Sequence, residues 1–298
     1  MAVSTNNAPE LTTEQVHSVL TKPLEQASTF LAAGPRIFDT DGSPVRIPRA
    51  PESGAADLTW TGENELIPEQ DPEFGELLLM PNALKSVKTI TRYSNELARQ
   101  SVVSIEGALR DRLVADVSAK IDAQFLSASD GMGVDDEAGV RIAPRGLFAY
   151  AGTTIADAGE MSLDVVLEAQ GAALGANVNP AGMTLFITPA LYMGLRALKD
   201  GDGRYLVQPD VTSGGTVLPI LGARVAVSSH VPEGSAALVD MSRVAVARDL
   251  APSVKILTER YADYDQQAIR VVARYDAGPI DPAAVVAMTG LTVPSPTP

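Results

Sequence analysis

The chain has 298 residues, 45% hydrophobic and 20% charged, with no cysteine and a formal charge of −14 from 37 acidic against 23 basic residues. That composition belongs to a folded chain, and the missing thiols exclude a disulfide framework, a thiolate nucleophile and a cysteine-based metal site. The acidic balance argues against a dedicated nucleic-acid or lipid grip, which needs clustered lysine and arginine, and no apolar run approaches the ~20 residues of a membrane span.

The N-terminus, MAVSTNNAPELTTEQ, has no basic or apolar leader region, so no secretory signal is expected. Residues 11–33 predict a short helix with Thr13 as cap and Val16, Val19 and Leu20 on one side, broken at Pro23. Residues 34–54 are rich in proline and glycine and short of apolar side chains, which predicts an extended arm that needs a surface to lie on. From Trp60 to Leu79 the run WTGENELIPEQDPEFGELLL carries six carboxylates (Glu63, Glu65, Glu69, Asp71, Glu73, Glu76) and no basic residue. It is too long and too charged for a tight hairpin turn.

Val87, Thr89, Thr91 and Tyr93 alternate with Lys88, Ile90 and Arg92, the pattern of a strand with one wet face. Residues 57–60 are expected to pair with it, making a ribbon with the acidic stretch as its tip. An isolated ribbon is marginal in water, so it must rest on another surface. The strongest helix follows, with Ser101 as N-cap and Ile105, Leu109, Leu113, Val117, Ile121 and Phe125 at i+4 intervals. At 3.6 residues per turn this stripe drifts by about 40° per step and winds round the helix. It is buried either by different neighbours along its length or by a second subunit.

Residues 131–141 read as a polar loop. A helix capped by Ser162 follows, carrying Leu163, Val166, Leu167 and Leu174, then a buried strand TLFITP (184–189). Next comes a helix from Thr188 or Pro189 bearing Leu191, Leu195 and Leu198. KDGDGRYL is a turn. Residues 223–229, 236–248, 254–260 and 267–275 read as strands, the last two joined across YADYDQQ. There is no internal repeat and no steady βαβ rhythm. The fold class is α+β.

No reactive constellation stands out. His17 and His230 are the two histidines, and a serine–histidine–aspartate arrangement through His230 lacks a G-x-S-x-G elbow. DTDG (39–42) and DGDG (200–203) put glycine at the fourth loop position and have no glutamate at the twelfth, so they are turns and not calcium loops. Asp135, Asp136 and Glu137 read as a solvated loop, and the glycine pairs lack the strand-then-helix context of phosphate cradles. The expectation is a non-enzyme without metal or cofactor.

The order of several motifs resembles the major capsid proteins of tailed bacteriophages, with the Hong Kong phage-type capsid fold. Those motifs are Trp60, Gly62 and Glu63; Ile67, Pro68, Asp71, Pro72 and Phe74; Pro81 and Lys85; and Ser94, Glu96 and Leu97. The likeness runs on through KIDAQFL (120–126), PRGLF (144–148), NPAGMTLFITPALYMGLRALKDGDGRYL (179–206), Leu221 to Val225, and RYDAGPIDPAAVV (274–286). It covers most of the chain from about residue 55 onward.

The resemblance implies an N-terminal arm (1–54), an extended loop or E-loop (55–100), a P-domain with the long spine helix (101–149 and 241–275), an axial A-domain (150–240 and 276–290) and a tail (291–298). It further implies self-assembly into pentamers and hexamers of an icosahedral shell enclosing double-stranded DNA. The shell would be built in the bacterial cytoplasm with separate scaffolding, portal and possible decoration proteins. On this reading the acidic finger lies across a neighbouring copy. The contact candidates are Trp60, Glu63, Glu65, Glu69, Asp71 and Glu73 on the finger, and Arg99, Arg110, Arg112 and Lys120 on the neighbour.

Two departures qualify the likeness. The tip from Gly62 to Glu76 has no lysine, so the loop-lysine crosslink of some members is not expected, and the chain has no room for a long scaffolding domain before the arm. Alternatives are an encapsulin-type compartment of the same fold, or a cytoplasmic α+β hydrolase using His230. The −14 charge suits a container that must not hold DNA tightly.

Overall fold

A computed structural model describes residues 27–49, 60–64, 75–96, 105–133, 138–180, 182–207, 217–249 and 253–294. Of the helix expected over 11–33, residues 11–26 lie outside these, and the described part is the single turn α1 (Thr29–Ala32). Ser28 opens it, its hydroxyl accepting from the Leu31 amide. Strands β1 (Arg36–Thr40), β2 (Val45–Arg49), β3 (Gly75–Leu79) and β4 (Val87–Ser94) follow, and then the long helix α2 (Ile105–Phe125).

The second half of the chain contains β5 (Thr153–Ile155), β6 (Gly159–Glu160), α3 (Leu163–Gly175), β7 (Thr184–Ile187) and α4 (Pro189–Ala197). These precede β8 (Arg224–Val227), β9 (Ala236–Val239), β10 (Val244–Asp249), β11 (Ser253–Leu257) and β12 (Gln266–Ala273). The chain closes with β13 (Tyr275–Pro279), β14 (Val285–Met288) and β15 (Leu291–Thr292). Thr188 caps α4 and Pro189 opens it, where its missing N–H costs nothing.

A five-stranded sheet, in the order β5-β14-β9-β7-β8, forms one body. Successive side chains on a strand face opposite ways, and here both faces are covered. Leu185 and Ile187 of β7, Leu238 of β9 and Met288 of β14 join α3 and α4 in one core. Phe186, Val239 and Val285 point to the other side, into a second core with α1 and the C-terminal half of α2. This double burial is why TLFI reads as a continuous apolar run.

The strand predicted over 236–248 is two strands in different sheets, broken at Asp240, whose carboxylate accepts from the Ser242 amide at 3.0 Å. The α3 helix also turns a different face inward. Val165, Val166, Ala169 and Ala173 are buried, whereas Leu167 and Leu174 are 50% and 58% exposed. The helix lies against β14, and small residues on the contact face let the two backbones approach.

The expected arm is not left unsupported between residues 36 and 49. β1 pairs in parallel with β10, and the two oxygens of Asp39 accept from Arg248 at 2.7 and 3.0 Å. β2 pairs antiparallel with β3, placing Val45 and Ile47 against Leu77, Leu79 and Ala247 in a third, smaller core. Pro48 is tolerated there because β2 is an edge strand.

Of the ribbon expected from 57–60 with 80–93, residues 57–59 lie outside the described residues. On one edge β4 pairs with β12, from Val87↔Ala273 to Ser94↔Gln266, and β12 pairs with β11. Thr89 and Thr91 are half-buried and Tyr93 buried, while Lys88, Ile90 and Arg92 are exposed, which is the alternation the sequence predicts.

Along α2 the buried residues recur in pairs four apart: Leu113 and Val114, Val117 and Ser118, Ile121 and Asp122, then Phe125 with Leu126 just beyond the helix. The described part of the winding stripe is therefore closed by this chain's own α1, β12 and five-stranded sheet, as a core helix. The predicted cap Ser101 lies outside the described residues.

Candidate intersubunit surface

The finger leaves and re-enters the body through a stiff base. On its return side β3 ends at Leu79 and Met80, whose φ of 52° is left-handed, and the Met80 amide donates to the Asp276 carboxylate at 2.7 Å. Asp276 is fully buried and also accepts from its neighbour's amide at Ala277, 3.0 Å, and from Arg141. Arg141 reaches the Leu78 carbonyl at 3.1 Å and the Tyr150 hydroxyl at 3.1 Å. One buried carboxylate thus ties the finger's return strand, the loop before Ile142 and β13 together.

Burial pushes the Asp276 carboxyl above its ordinary range, against the opposing pull of Arg141 and the two amides. It likewise raises the Tyr150 hydroxyl, with Arg141 opposing. These groups are structural. Among the described residues, no nucleophile–base pair lies beside them.

At the outgoing side Trp60 is wholly exposed, with a relative exposure of 103%, and Glu63 is exposed beside it. Glu65, Glu69, Asp71 and Glu73 lie outside the described residues, as does Arg99. Glu76 pairs with Arg46 across the β2–β3 ladder at 3.5 Å, both side chains more than half exposed.

Arg110 belongs to α2, and its side chain lies outside the description. Arg112 is engaged on its own helix with Asp116 at 3.0 Å, an exposed i,i+4 pair worth only about 0.3–0.5 kcal/mol. Among the described finger and neighbour candidates, no two are brought into contact within the chain.

Lys120 stands out for its setting. It lies on the rim of a groove of about 360 Å³ formed where α2, the start of β4 and residues 142–144 meet. Lys85, Lys88 and Gln124 share the rim; Ile121, Phe125, Ile142 and Pro144 line the interior. The wall at 142–144 is held by Lys85 N–H donating to the Ile142 carbonyl at 2.8 Å and the Gln124 amide donating to the Pro144 carbonyl at 2.6 Å. Gly131 supports that wall: at φ 72°, a Cβ there would sit 2.2 Å from the Ala143 carbonyl oxygen. Lys85 and Lys88 were not among the sequence candidates. Their spacing in ALKSVK is the available signal, but only the fold brings Lys120 to them.

The rival chemistry finds no support. The contact between His230 and Ser228 runs from the backbone amide to the hydroxyl at 3.2 Å and does not engage the imidazole. Among the described residues no cluster of three acidic or histidine side chains could hold a metal. Asp200 folds DGDG into a turn by accepting from the amides of Asp202 and Arg204 at 3.0 and 2.8 Å. Asp135, Asp136 and Glu137 lie outside the described residues.

Comparison with known proteins agrees with this picture of a structural chain. A family model described as the phage capsid family matches residues 11–290. Among solved structures, the capsid of a native GTA particle is similar at a TM-score of 0.67 and 16% identity, covering 89% of this chain and 91% of the other. A structure from Microbacterium phage Oxtober96 matches at 0.67 and 20% identity, over 98% of this chain and 100% of that one. One from Mycobacterium phage Adephagia matches at 0.68 and 18%, over 99% and 100%. No curated protein matches.

Proposed function

The chain belongs to the phage capsid family and is a structural protein, not an enzyme; from that premise we propose that it is the major capsid subunit that self-assembles, as pentamers and hexamers, into an icosahedral shell around double-stranded DNA. The observation that carries the reading is the family match across residues 11–290, nearly the whole chain. In this reading the five-stranded sheet with α3 and α4 is the axial domain. The long α2 with β11 and β12 belongs to the peripheral domain (101–149 and 241–275), and residues 55–100 are the extended loop that reaches a neighbour. The shell assembles in the host cytoplasm with scaffolding, portal and possible decoration proteins, and resides in the virion.

The charge of −14 per copy would make identical subunits repel, so association needs apolar burial and local charge complementarity. The acidic finger supplies one half of such a match. Exposed ion pairs contribute ~0–1 kcal/mol each and weaken with salt, so they set register while buried apolar area supplies affinity.

Expressing the chain and imaging the purified material tests the reading. Closed shells that protect DNA from nuclease support it. Shells that enclose a cargo enzyme and no DNA would favour the encapsulin-type compartment, and no particles at any concentration would refute both. Reversing Glu69 and Asp71 to lysine is expected to reduce shell yield while leaving the circular dichroism of the unassembled chain unchanged. Normal shell yield would remove the finger from the interface.

A further inference from the structure

Around Tyr150, at the base of the finger, the charge balance of the chain is inverted. Across the sequence acids outnumber bases by 37 to 23. Here the charged groups that act on the Tyr150 hydroxyl are three arginines, Arg141, Arg145 and Arg49, and a single carboxylate, Asp276. That carboxylate is already engaged with Arg141 and with the amides of Met80 and Ala277. Two guanidinium charges are left over.

Both are held half-buried against the same ring. Arg145 lies over Tyr150, 4.5 Å from the ring centroid, and one of its nitrogens donates to the Ala149 carbonyl. Arg49 donates through Nη2 to the Pro279 carbonyl at 3.0 Å. The neighbouring Gly278 packs so closely that a Cβ there would lie 3.4 Å from Cζ of Tyr150. The Nε atom of each of these two arginines is buried and has no partner among the described residues. A buried donor on a charged group is costly to leave unmatched, so two of them beside one ring point to an anion that binds there.

Tyr150 adds a neutral donor. Its hydroxyl accepts from Arg141 at 3.1 Å, which leaves its own hydrogen to give, and burial keeps it protonated at neutral pH. We propose that Arg49, Arg145 and Tyr150 form a binding site for an oxyanion, a phosphate group held by two guanidinium forks and one hydroxyl. Guanidinium donors match the spacing of phosphate oxygens. A phosphate also presents its oxygens tetrahedrally and suits donors from different directions, whereas a carboxylate holds two in one plane. Inorganic phosphate and the phosphodiester of DNA share this chemistry. None of the three residues lines the lysine-rimmed groove, and the site is independent of the shell reading.

Thermal unfolding of the unassembled full chain in inorganic phosphate and in chloride, at matched ionic strength and neutral pH, tests the site. The expected result is a saturable rise in Tm, about 3 °C at ten times Kd. Arg49→Gln with Arg145→Gln should abolish the rise and Tyr150→Phe should reduce it. Lys85→Gln with Lys88→Gln, on the groove, should leave it intact. If the glutamine pair does not fold, Arg49→Lys with Arg145→Lys keeps both charges but removes the forks, and should weaken phosphate binding roughly tenfold. A labelled duplex oligonucleotide separates the two sources. For DNA, the glutamine pair lowers duplex affinity and reduces the slope of log affinity against log salt by about 2. For free phosphate, the pair leaves duplex binding unchanged while the Tm response is lost.

An unchanged Tm in phosphate overturns the proposal, as does a rise that survives the arginine substitutions or is lost with the two lysines. A rise given through Arg49 and Arg145 by poly-glutamate but not by phosphate also overturns it, assigning the site to an acidic protein segment.

Discussion

Replacing Asp122 with alanine should loosen the N-terminal segment from the long helix. Asp122 is 3% exposed, and its carboxylate accepts from the Ser28 hydroxyl at 2.5 Å, the Thr29 amide at 2.7 Å and the Phe30 amide at 3.2 Å. Phe30, the side chain these bonds position, sits edge-on to Phe125 at 5.1 Å and stacks on Phe186 at 6.0 Å, joining α1, α2 and the five-stranded sheet. Alanine strands two buried donors, the Ser28 hydroxyl and the Phe30 amide, at about 1–3 kcal/mol each. The Thr29 amide is part-buried and recovers water more readily.

Loss of the carboxylate's own desolvation cost offsets some of this, which leaves about 3–4 kcal/mol. At roughly 2 °C per kcal/mol for a chain of this size, the expected fall in Tm is about 6–8 °C. Thermal unfolding of the unassembled chain, followed by circular dichroism, measures it. Asp122→Asn keeps one acceptor oxygen and should fall between the two. A change below about 1 kcal/mol for the alanine variant would refute the idea that this carboxylate anchors the segment.

Further outcomes follow from the same geometry. Asp276 has its folded pKa raised above the ordinary value near 3.8, so its contribution to stability is fully present below that value and is lost as pH rises through the folded pKa. Asp276→Asn removes this dependence. The difference in Tm between the native and variant chains should therefore shift against the native chain as pH rises from about 4, and parallel curves would contradict the assignment. Trp60 is the single tryptophan and is fully exposed in the isolated chain. If the finger docks on a neighbour, its emission should move to shorter wavelength on assembly and become protected from quenching by iodide; no change would place it outside the contact.

Much of the fold was legible because local periodicity carried it. The alternation of residues 87–93, the four-residue recurrence along α2, the Thr188–Pro189 helix start and the doubly buried TLFI strand all stand in the structure as read. What was missed depends on partners far apart in sequence. Nothing in RIFDT or VRIPR announces that β1 will pair with β10 or β2 with β3, so an arm that is supported by its own chain looked unsupported.

On α3 the large apolar side chains misled, because the helix packs closely on Ala169 and Ala173 and leaves Leu167 and Leu174 outside. The candidate surface was legible in part for the same reason. The acidic finger is contiguous and plain to read, whereas the groove beside Lys120 of α2 is assembled from Lys85 before β4, Lys88 within it, and a wall set by a glycine turn at 131.

Electron cryomicroscopy of the purified chain tests the central claim most directly. The account predicts closed shells in which the acidic finger of each subunit lies against a neighbour. A uniform population of compact monomers at every concentration and salt condition would contradict it.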